Sequence, residues 1–302
     1  MGNVLKWIGI VFGVLVALMV VAALGIFIAS ENVLNKTYFA PAASIAVPTD
    51  AAALERGKHL ATSVSDCVGC HGANLAGGSV IDSPQLGRIV APNLTRGKNG
   101  FGAQLSDADF ARAIRYGVLP RGKSVRVMPA DDYNHLSDAD LGALIAYVKS
   151  VPPVDGNLPP TEFKPLGRIL FATGQLPIMI AARIDFKTDQ PKTVASGVTL
   201  EYGKYLADIA GCTGCRGPGL SGGPIPGTPP DFPKALNLTP GGEVVAWSEA
   251  DFIKTLRTGV SPSGHQLADQ MPWKTYRNMT DDELKAIWLF VKSAPAKPFG
   301  NR

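Results

Sequence analysis

The sequence has 302 residues, enough for two domains of moderate size, and its 33 glycines and 24 prolines indicate long loops rather than low-complexity disorder. The net charge at pH 7 is only +4, which gives no reason to expect a nucleic-acid partner, because such a partner requires a concentrated basic face.

The first predicted element is a transmembrane helix over residues 7–29. These 23 residues carry no charge, and as a helix they would span about 35 Å, more than the roughly 30 Å of a bilayer's hydrocarbon core. A cleaved signal peptide has a shorter apolar region, of about 7–15 residues, and no clear cleavage site follows this one. Lys6 precedes the helix, which weakly favours a cytoplasmic N-terminus. Residues 30–52 are predicted to form a tether.

All four cysteines occur in C-x-x-C pairs, at Cys67 and Cys70 and at Cys212 and Cys215. His71 follows the first pair and completes C-x-x-C-H, the attachment sequence for c-type haem. Thiols three residues apart on a helical turn share one face, so both can form thioethers with haem, and the adjacent imidazole can reach the iron. A four-cysteine zinc site and a thioredoxin-like dithiol are weaker alternatives, because the pairs are far apart and no alternating strands surround them.

The chain is a tandem repeat whose two copies are offset by 142 to 146 residues throughout. The matching segments are 55–61 with 201–207, 71–78 with 216–223, 93–95 with 237–239, 106–110 with 248–252, 115–118 with 257–260, and 128–129 with 271–272. These matches predict two domains, which we call the first repeat (residues 53–153) and the second repeat (residues 198–298). Residues 154–197 form the predicted interdomain linker.

Each repeat is predicted to be a small all-α domain with long loops. A helix with one apolar stripe ends each copy, and the middle and last helices have N-cap signals at Ser106, Ser137, Ser248 and Thr280. About 100 residues with three or four helices bury only a small core, and an apolar macrocycle would supply the missing interior.

Met128 and Met271 stand at equivalent places, each followed by proline, and are the predicted second axial ligands. A methionine thioether is a common haem ligand and raises the reduction potential, which suits electron transfer. His59 and His135 are the alternatives for the first repeat, although the second repeat has no histidine at either place.

Together these motifs resemble class I c-type cytochromes, specifically membrane-anchored two-domain (di-haem type) cytochromes similar to the cytochrome subunits of bacterial membrane dehydrogenases. The resemblance covers residues 53–298. It implies two tandem cytochrome c-like domains after one N-terminal transmembrane helix, covalent haem c, and haem domains on the periplasmic side of the inner membrane. It also implies an electron carrier rather than an enzyme, relaying single electrons from a dehydrogenase or quinol to a respiratory acceptor. The implied partners are the membrane, a dehydrogenase subunit, an oxidase or a soluble cytochrome.

The second repeat departs from this pattern at Arg216, where the first has His71. A guanidinium has no free lone pair for iron, so a second haem at Cys212 and Cys215 is doubtful. Three alternatives stay open. In the first, a haem binds with an open or substituted proximal position, which would give small-molecule binding or peroxidase-like activity. In the second, the repeat is a haem-free docking module. In the third, Arg216 is a recent or engineered loss of the histidine in an otherwise two-haem protein. His265 is an imaginable replacement ligand.

Two further stretches carry weaker predictions. Residues 169–182 are apolar but short and broken by glycine and proline, so they are predicted to pack between the two domains; contact with a membrane surface or a partner subunit is the alternative. Arg115, Arg121, Lys123 and Arg126 surround the Met128 loop and are predicted to line a solvated edge or to steer an acidic partner or the haem propionates.

Overall fold

The computed structural model describes residues 2–41 and 44–302, and about 48% of the chain is helical. The α-helices of this part of the chain are α1 (Gly2–Asn35), α2 (Ala51–His59), α3 (Cys67–His71), α4 (Asp107–Tyr116), α5 (Ala130–Tyr133), α6 (Asp138–Ser150), α7 (Pro165–Ala172), α8 (Leu200–Ile209), α9 (Cys212–Arg216), α10 (Glu249–Thr258), α11 (Trp273–Tyr276) and α12 (Asp281–Ser293). A π-helical turn, Leu60–Val64, continues α2.

Helix α1 is long and apolar enough to cross a membrane, as the sequence predicts. It runs to Asn35, six residues beyond the predicted end, so the predicted tether begins as helix. Its last turns are held by Arg168 of α7, which donates to the Ser30 hydroxyl at 2.9 Å and to the Glu31 carboxylate at 2.7 Å. The same guanidinium lies 4.6 Å from the centroid of the Phe27 ring. The end of α1 is therefore fixed to the body of the molecule.

The helices of the two repeats correspond one to one. Helices α3 and α9 have 5 residues each, α4 and α10 have 10, and α6 and α12 have 13. The four predicted N-caps are confirmed, since each side chain accepts a hydrogen bond from the backbone N–H three residues on: Ser106, Ser137, Ser248 and Thr280. Capping thus fixes where the middle and last helices of both repeats begin.

The first and last helices of each repeat cross at a glycine. A Cβ on Gly57 would lie 2.0 Å from the Ala143 carbonyl oxygen, and one on Gly203 would lie 1.8 Å from that of Ala286. Any larger residue would push the two backbones apart. This close approach brings the N- and C-terminal helices of each repeat into direct backbone contact.

The all-α prediction was incomplete, because the described residues include a three-stranded antiparallel sheet. Its strands are β1 (Gly78–Ser83), β2 (Gly87–Ala91) and β3 (Glu162–Phe163), in that spatial order. Pairs of β-branched residues in β1 and β2 flank a tight turn at Pro84, and burial alternates along β2. The corresponding part of the second repeat is proline-rich and forms only an isolated bridge between Gly223 and Ala235.

Residues 169–182 do not pack between the repeats as predicted. Phe171, Ile178 and Met179 form a small core with Leu34 of α1 and Ile89 of β2. The apolar stretch instead joins the end of α1 to the sheet, because both elements offer it apolar partners.

The two repeats meet through a partly buried polar cluster, the interrepeat network, formed by Arg56, His59, Asp140, Tyr205 and Glu283. Arg56 pairs with Asp140 at 2.8 Å and with Glu283 at 3.3 Å, while His59 Nε2 lies 2.7 Å from Glu283 Oε2. The Tyr205 hydroxyl donates to Asp140 at 2.7 Å. Burial alone would raise the pKa of Glu283, but the hydrogen bonds from His59 and the Thr280 backbone, with the Arg56 charge, hold it below its usual range. These contacts join the repeats across their first and last helices.

Candidate haem site

The C-x-x-C-H segment forms a helix of a single turn, α3, between two residues with positive φ. Asp66 precedes it at φ 46° and Gly72 follows it at φ 77°. Both thiols and the imidazole line one cavity. Burial, together with the neighbouring Asp66 and Cys70, raises the pKa of Cys67 to about 12, so the free thiol is neutral at pH 7.

This cavity has a volume of about 690 Å³ and lies mainly in the first repeat, with the end of α1 and residues 156–161 of the predicted linker completing its wall. Its size falls in the range of roughly 300–1,000 Å³ typical of cofactor sites. The wall is predominantly apolar and is built by β2, α4, α5, α6 and the loops between them. Representative lining residues are Cys67, Cys70, His71, Ile89, Leu94, Leu105, Phe110, Val125, Met128, Tyr133, Leu144 and Val148.

His71 is held in the form that binds iron. Its side chain is buried, and Nδ1 donates to the Pro92 carbonyl oxygen at 2.9 Å. With its proton on Nδ1, the imidazole keeps the Nε2 lone pair free for a metal, which is the usual arrangement of a ligating histidine. Burial lowers the pKa of His71, despite the Pro92 hydrogen bond, and so favours the neutral ring.

The Pro92 carbonyl is itself fixed by the Asn-Leu-Thr motif that follows it. Asn93 Nδ2 donates to the Val154 carbonyl at 2.7 Å, and Asn93 Oδ1 accepts from the Thr95 backbone at 2.9 Å. The Thr95 hydroxyl also donates to Val154, at 3.1 Å. The motif occurs in both repeats, at residues 93–95 and 237–239, but the sequence alone indicates no role for it. In the structure it positions the partner of the candidate iron ligand.

Met128 lines the same cavity, from the loop before α5. Val127, directly before it, has φ 67°, a conformation that costs a β-branched residue on the order of 1–3 kcal/mol. The Tyr133 hydroxyl donates to the Ser65 carbonyl, which ties α5 to the turn before α3. The strained backbone at Val127 and the hydrogen bond from Tyr133 to Ser65 together place the Met128 thioether in the cavity that His71 lines.

One edge of the cavity is cationic. Lys123 and Arg126 line it beside the end of α1, with Lys123 Nζ donating to the Asn35 carbonyl at 2.7 Å. The Arg126 guanidinium lies 5.2 Å from the centroid of the Phe163 ring, and its partial burial lowers its pKa. Arg115, predicted in the same cluster, is instead buried in an ion pair with Asp138 at 2.7 Å.

The equivalent residues of the second repeat also come together, but around a much smaller space. Cys212, Arg216 and Met271 line a void of about 40 Å³. Arg216 is buried, and its Nη2 lies 3.4 Å from Met271 Sδ. His265 is exposed and lies outside the lining of this void. The first repeat therefore has a cavity of cofactor size lined by both cysteines, His71 and Met128, whereas the void between the equivalent residues of the second repeat is far smaller.

Comparison with known proteins identifies the class of the first repeat. Residues 52–148 match the family described as cytochrome c oxidase, cbb3-type, subunit III. The first repeat is therefore a c-type cytochrome domain, the class that carries covalently bound haem c.

The chain as a whole is similar to cytochrome subunits of dehydrogenases. It is 30% identical over 280 residues to the fructose dehydrogenase cytochrome subunit of Gluconobacter japonicus, covering 83% of this chain and 55% of that protein. It is 30% identical over 293 residues to the cytochrome c subunit of alcohol dehydrogenase (quinone) of Gluconobacter oxydans, covering 85% and 58%. A diheme cytochrome c-type protein of Cereibacter sphaeroides is 26% identical over 259 residues, covering 76% and 82%. The chain thus spans just over half the length of the first two relatives.

Proposed function

We propose that this protein is a membrane-anchored periplasmic cytochrome c that relays single electrons between a dehydrogenase or quinol donor and a respiratory acceptor. Haem c is attached at Cys67 and Cys70, with His71 and Met128 as the axial ligands. Two cytochrome c-like domains, residues 53–153 and 198–298, follow the anchor. The protein acts as an electron carrier and not as a catalytic subunit.

The observation that carries this proposal is the cavity of about 690 Å³ lined by both thiols, His71 and Met128. His71 presents a neutral imidazole whose Nδ1 is already engaged by Pro92. Met128 supplies a soft thioether, which favours the ferrous state and a high reduction potential. When bound, haem supplies a one-electron couple, and the apolar wall keeps water from the iron.

The cationic edge supports a position for the redox centre beside the membrane. Lys123 and Arg126 lie where the end of α1 meets the cavity, and they are suited to balance the carboxylates of the haem. Helix α1 has the length and hydropathy of a membrane span. Membrane-embedded or membrane-bound donors can therefore approach this edge. The dehydrogenase relatives favour a donor of that kind.

The test is a pair of matched methionine substitutions in the full chain, expressed with the cytochrome c attachment machinery and purified in detergent. Met128→Leu removes the candidate ligand, whereas Met179→Leu makes the same change at a buried methionine outside the cavity lining. We expect Met128→Leu to keep its covalent haem, lose the low-spin methionine-ligated spectrum and show a shifted reduction potential. Met179→Leu should keep both.

Two outcomes would refute the proposal. A colourless wild-type protein, or pigment that is extracted by acidified organic solvent, would exclude covalent haem c. Identical spectra and potentials for Met128→Leu and wild type would exclude Met128 as the ligand. A peptide carrying haem at Cys67 and Cys70, found by mass spectrometry, would locate the attachment directly.

A further inference from the structure

The backbone of the second repeat reproduces the haem-attachment turn of the first. Gly211 precedes α9 at φ 71°, and Gly217 follows it at φ 77°, matching the positive φ values that flank α3. Arg216 consequently occupies the place of His71, and both residues are 7% exposed. The arginine side chain is thus directed into the interior of its repeat, where the first repeat has its candidate proximal ligand.

In the second repeat, side chains fill most of the space that corresponds to the cavity of the first repeat. Arg216 reaches Met271, the counterpart of the candidate distal ligand, so one side chain bridges the two positions between which iron would lie. Trp247 stands where the first repeat has Leu105 and lines the void of about 40 Å³ that remains. A void of this size holds about one water molecule, whereas the equivalent cavity measures about 690 Å³.

The electrostatics of the second repeat also oppose a haem. A guanidinium stays protonated and has no lone pair for iron. Beside ferric iron it would be a second buried cation, and like charges at close range in a poorly solvated interior repel strongly.

One of the two cations that border the cavity of the first repeat, Arg126, has no equivalent in the second repeat. Matching backbone hydrogen bonds, Val125 to Gly117 and Leu267 to Gly259, both 2.7 Å, set the register between the two loops. In that register Ala268 stands in the place of Arg126. The second repeat has therefore lost a group suited to a haem carboxylate as well as the proximal ligand.

We infer that the second repeat carries no haem, and that the contact between Arg216 and Met271 takes the place of the iron and its two axial bonds. The repeat is a redox-silent support for the first. Thr275 of α11 donates to Asp66 Oδ1 at the start of α3, at 2.5 Å, so the support covers the attachment turn of the first repeat. Electrons enter and leave through the first repeat alone.

The inference is tested by locating haem on the full chain, produced with the attachment machinery and purified in detergent. Pyridine haemochrome absorbance divided by protein concentration should give one haem per chain. Mass spectrometry of proteolytic peptides should place it at Cys67 and Cys70, while the peptide with Cys212 and Cys215 should take up two alkyl groups after reduction. Two haems per chain, or haem on the second peptide, would overturn the inference. Because each site is read from its own peptide, its failure is distinguishable from that of the proposed function.

A substitution tests the role of the arginine itself. Arg216→His restores C-x-x-C-H and removes the cation, so we expect haem content to rise from one to two per chain. If this variant is folded by circular dichroism and still carries one haem, Arg216 is not the group that excludes the cofactor, and that part of the inference fails. A wild-type protein with two haems per chain and a high-spin ferric band or carbon monoxide binding would show an open second haem and would also refute the inference.

Discussion

Replacing Glu283 by glutamine tests whether the interrepeat network holds the two repeats together. The carboxylate is 6% exposed and receives contacts from both repeats. Arg56 and His59 approach it from the first repeat, at 3.3 and 2.7 Å, and the Thr280 backbone donates to it from the second, at 2.9 Å. Glutamine keeps the shape and one acceptor oxygen, and removes the charge.

The expected loss is about 3 kcal/mol of unfolding free energy. Breaking one side of a buried ion pair costs roughly 3–5 kcal/mol, because the remaining charge is left unpaired. Arg56 keeps Asp140 at 2.8 Å, which places Glu283→Gln at the lower end of that range. For a chain of this size, such a loss lowers the melting temperature by on the order of 6–12 °C.

Thermal unfolding of the full chain in detergent, followed by circular dichroism at pH 7, measures this effect. Asp251→Asn is the matched control, since Asp251 holds the same capping-box position in α10 but is exposed to solvent. We expect a much smaller shift for the control. If Glu283→Gln melts within a degree of Asp251→Asn, the contribution of the network to stability is refuted.

The pH dependence gives a second check on Glu283. Its pKa is lowered in the folded protein, so the carboxylate contributes its full stability above the ordinary value of 4.5 and loses it as the pH falls through the lower folded value. The difference between wild type and Glu283→Gln should therefore be constant near neutrality and shrink below about pH 4. A difference that grows on acidification would contradict the assigned direction.

Three further predictions concern other contacts. Gly57→Ala should destabilise the chain by about 1–3 kcal/mol, measured by chemical denaturation, because its Cβ has no room against Ala143; an unchanged midpoint would contradict this. Arg168→Met should lower the melting temperature more than Lys164→Met, an exposed control in the same segment, because Arg168 contacts α1 and Lys164 pairs only with its neighbour Glu162. Equal shifts would argue against the contact between Arg168 and α1. Burial and nearby carboxylates raise the pKa of Asp132 to about 7, so its ionisation destabilises the folded state increasingly from pH 4 to 7. Asp132→Asn should therefore raise the melting temperature more at pH 8 than at pH 5. A larger rise at pH 5 would refute this assignment.

Local signals in the sequence predicted the starts of the middle and last helices correctly and marked the ligand candidates. The N-caps at Ser106 and Thr280 depend on contacts within one turn, so residue type and spacing were sufficient. Met128 stood out because a second copy of the pattern has methionine at the same place. The structure lines one cavity with Met128 and His71, whereas their roles as ligands stay a prediction.

The features that were missed depend on contacts between distant segments. The partner of His71 is a backbone carbonyl, at Pro92, and a carbonyl has no residue-type signal. The three-stranded sheet needs Glu162, far along the chain, to complete its edge. The contact between Arg216 and Met271 joins the residue that replaces the proximal histidine to the predicted distal ligand, and no sequence signal indicated that these two side chains meet.

Helix α1 continues without a break to Asn35, which limits how far the first repeat can move away from the end of this helix. Leu34 and Asn35 line the cavity of the first repeat, so in the proposed function the haem would lie at the end of the anchor helix, with no flexible linker between them. A carrier domain on a flexible linker can move away from the membrane to meet its partners. With α1 in the membrane, as proposed, the carrier would move in the plane of the bilayer, and both redox partners would have to present their own redox groups close to the lipid surface.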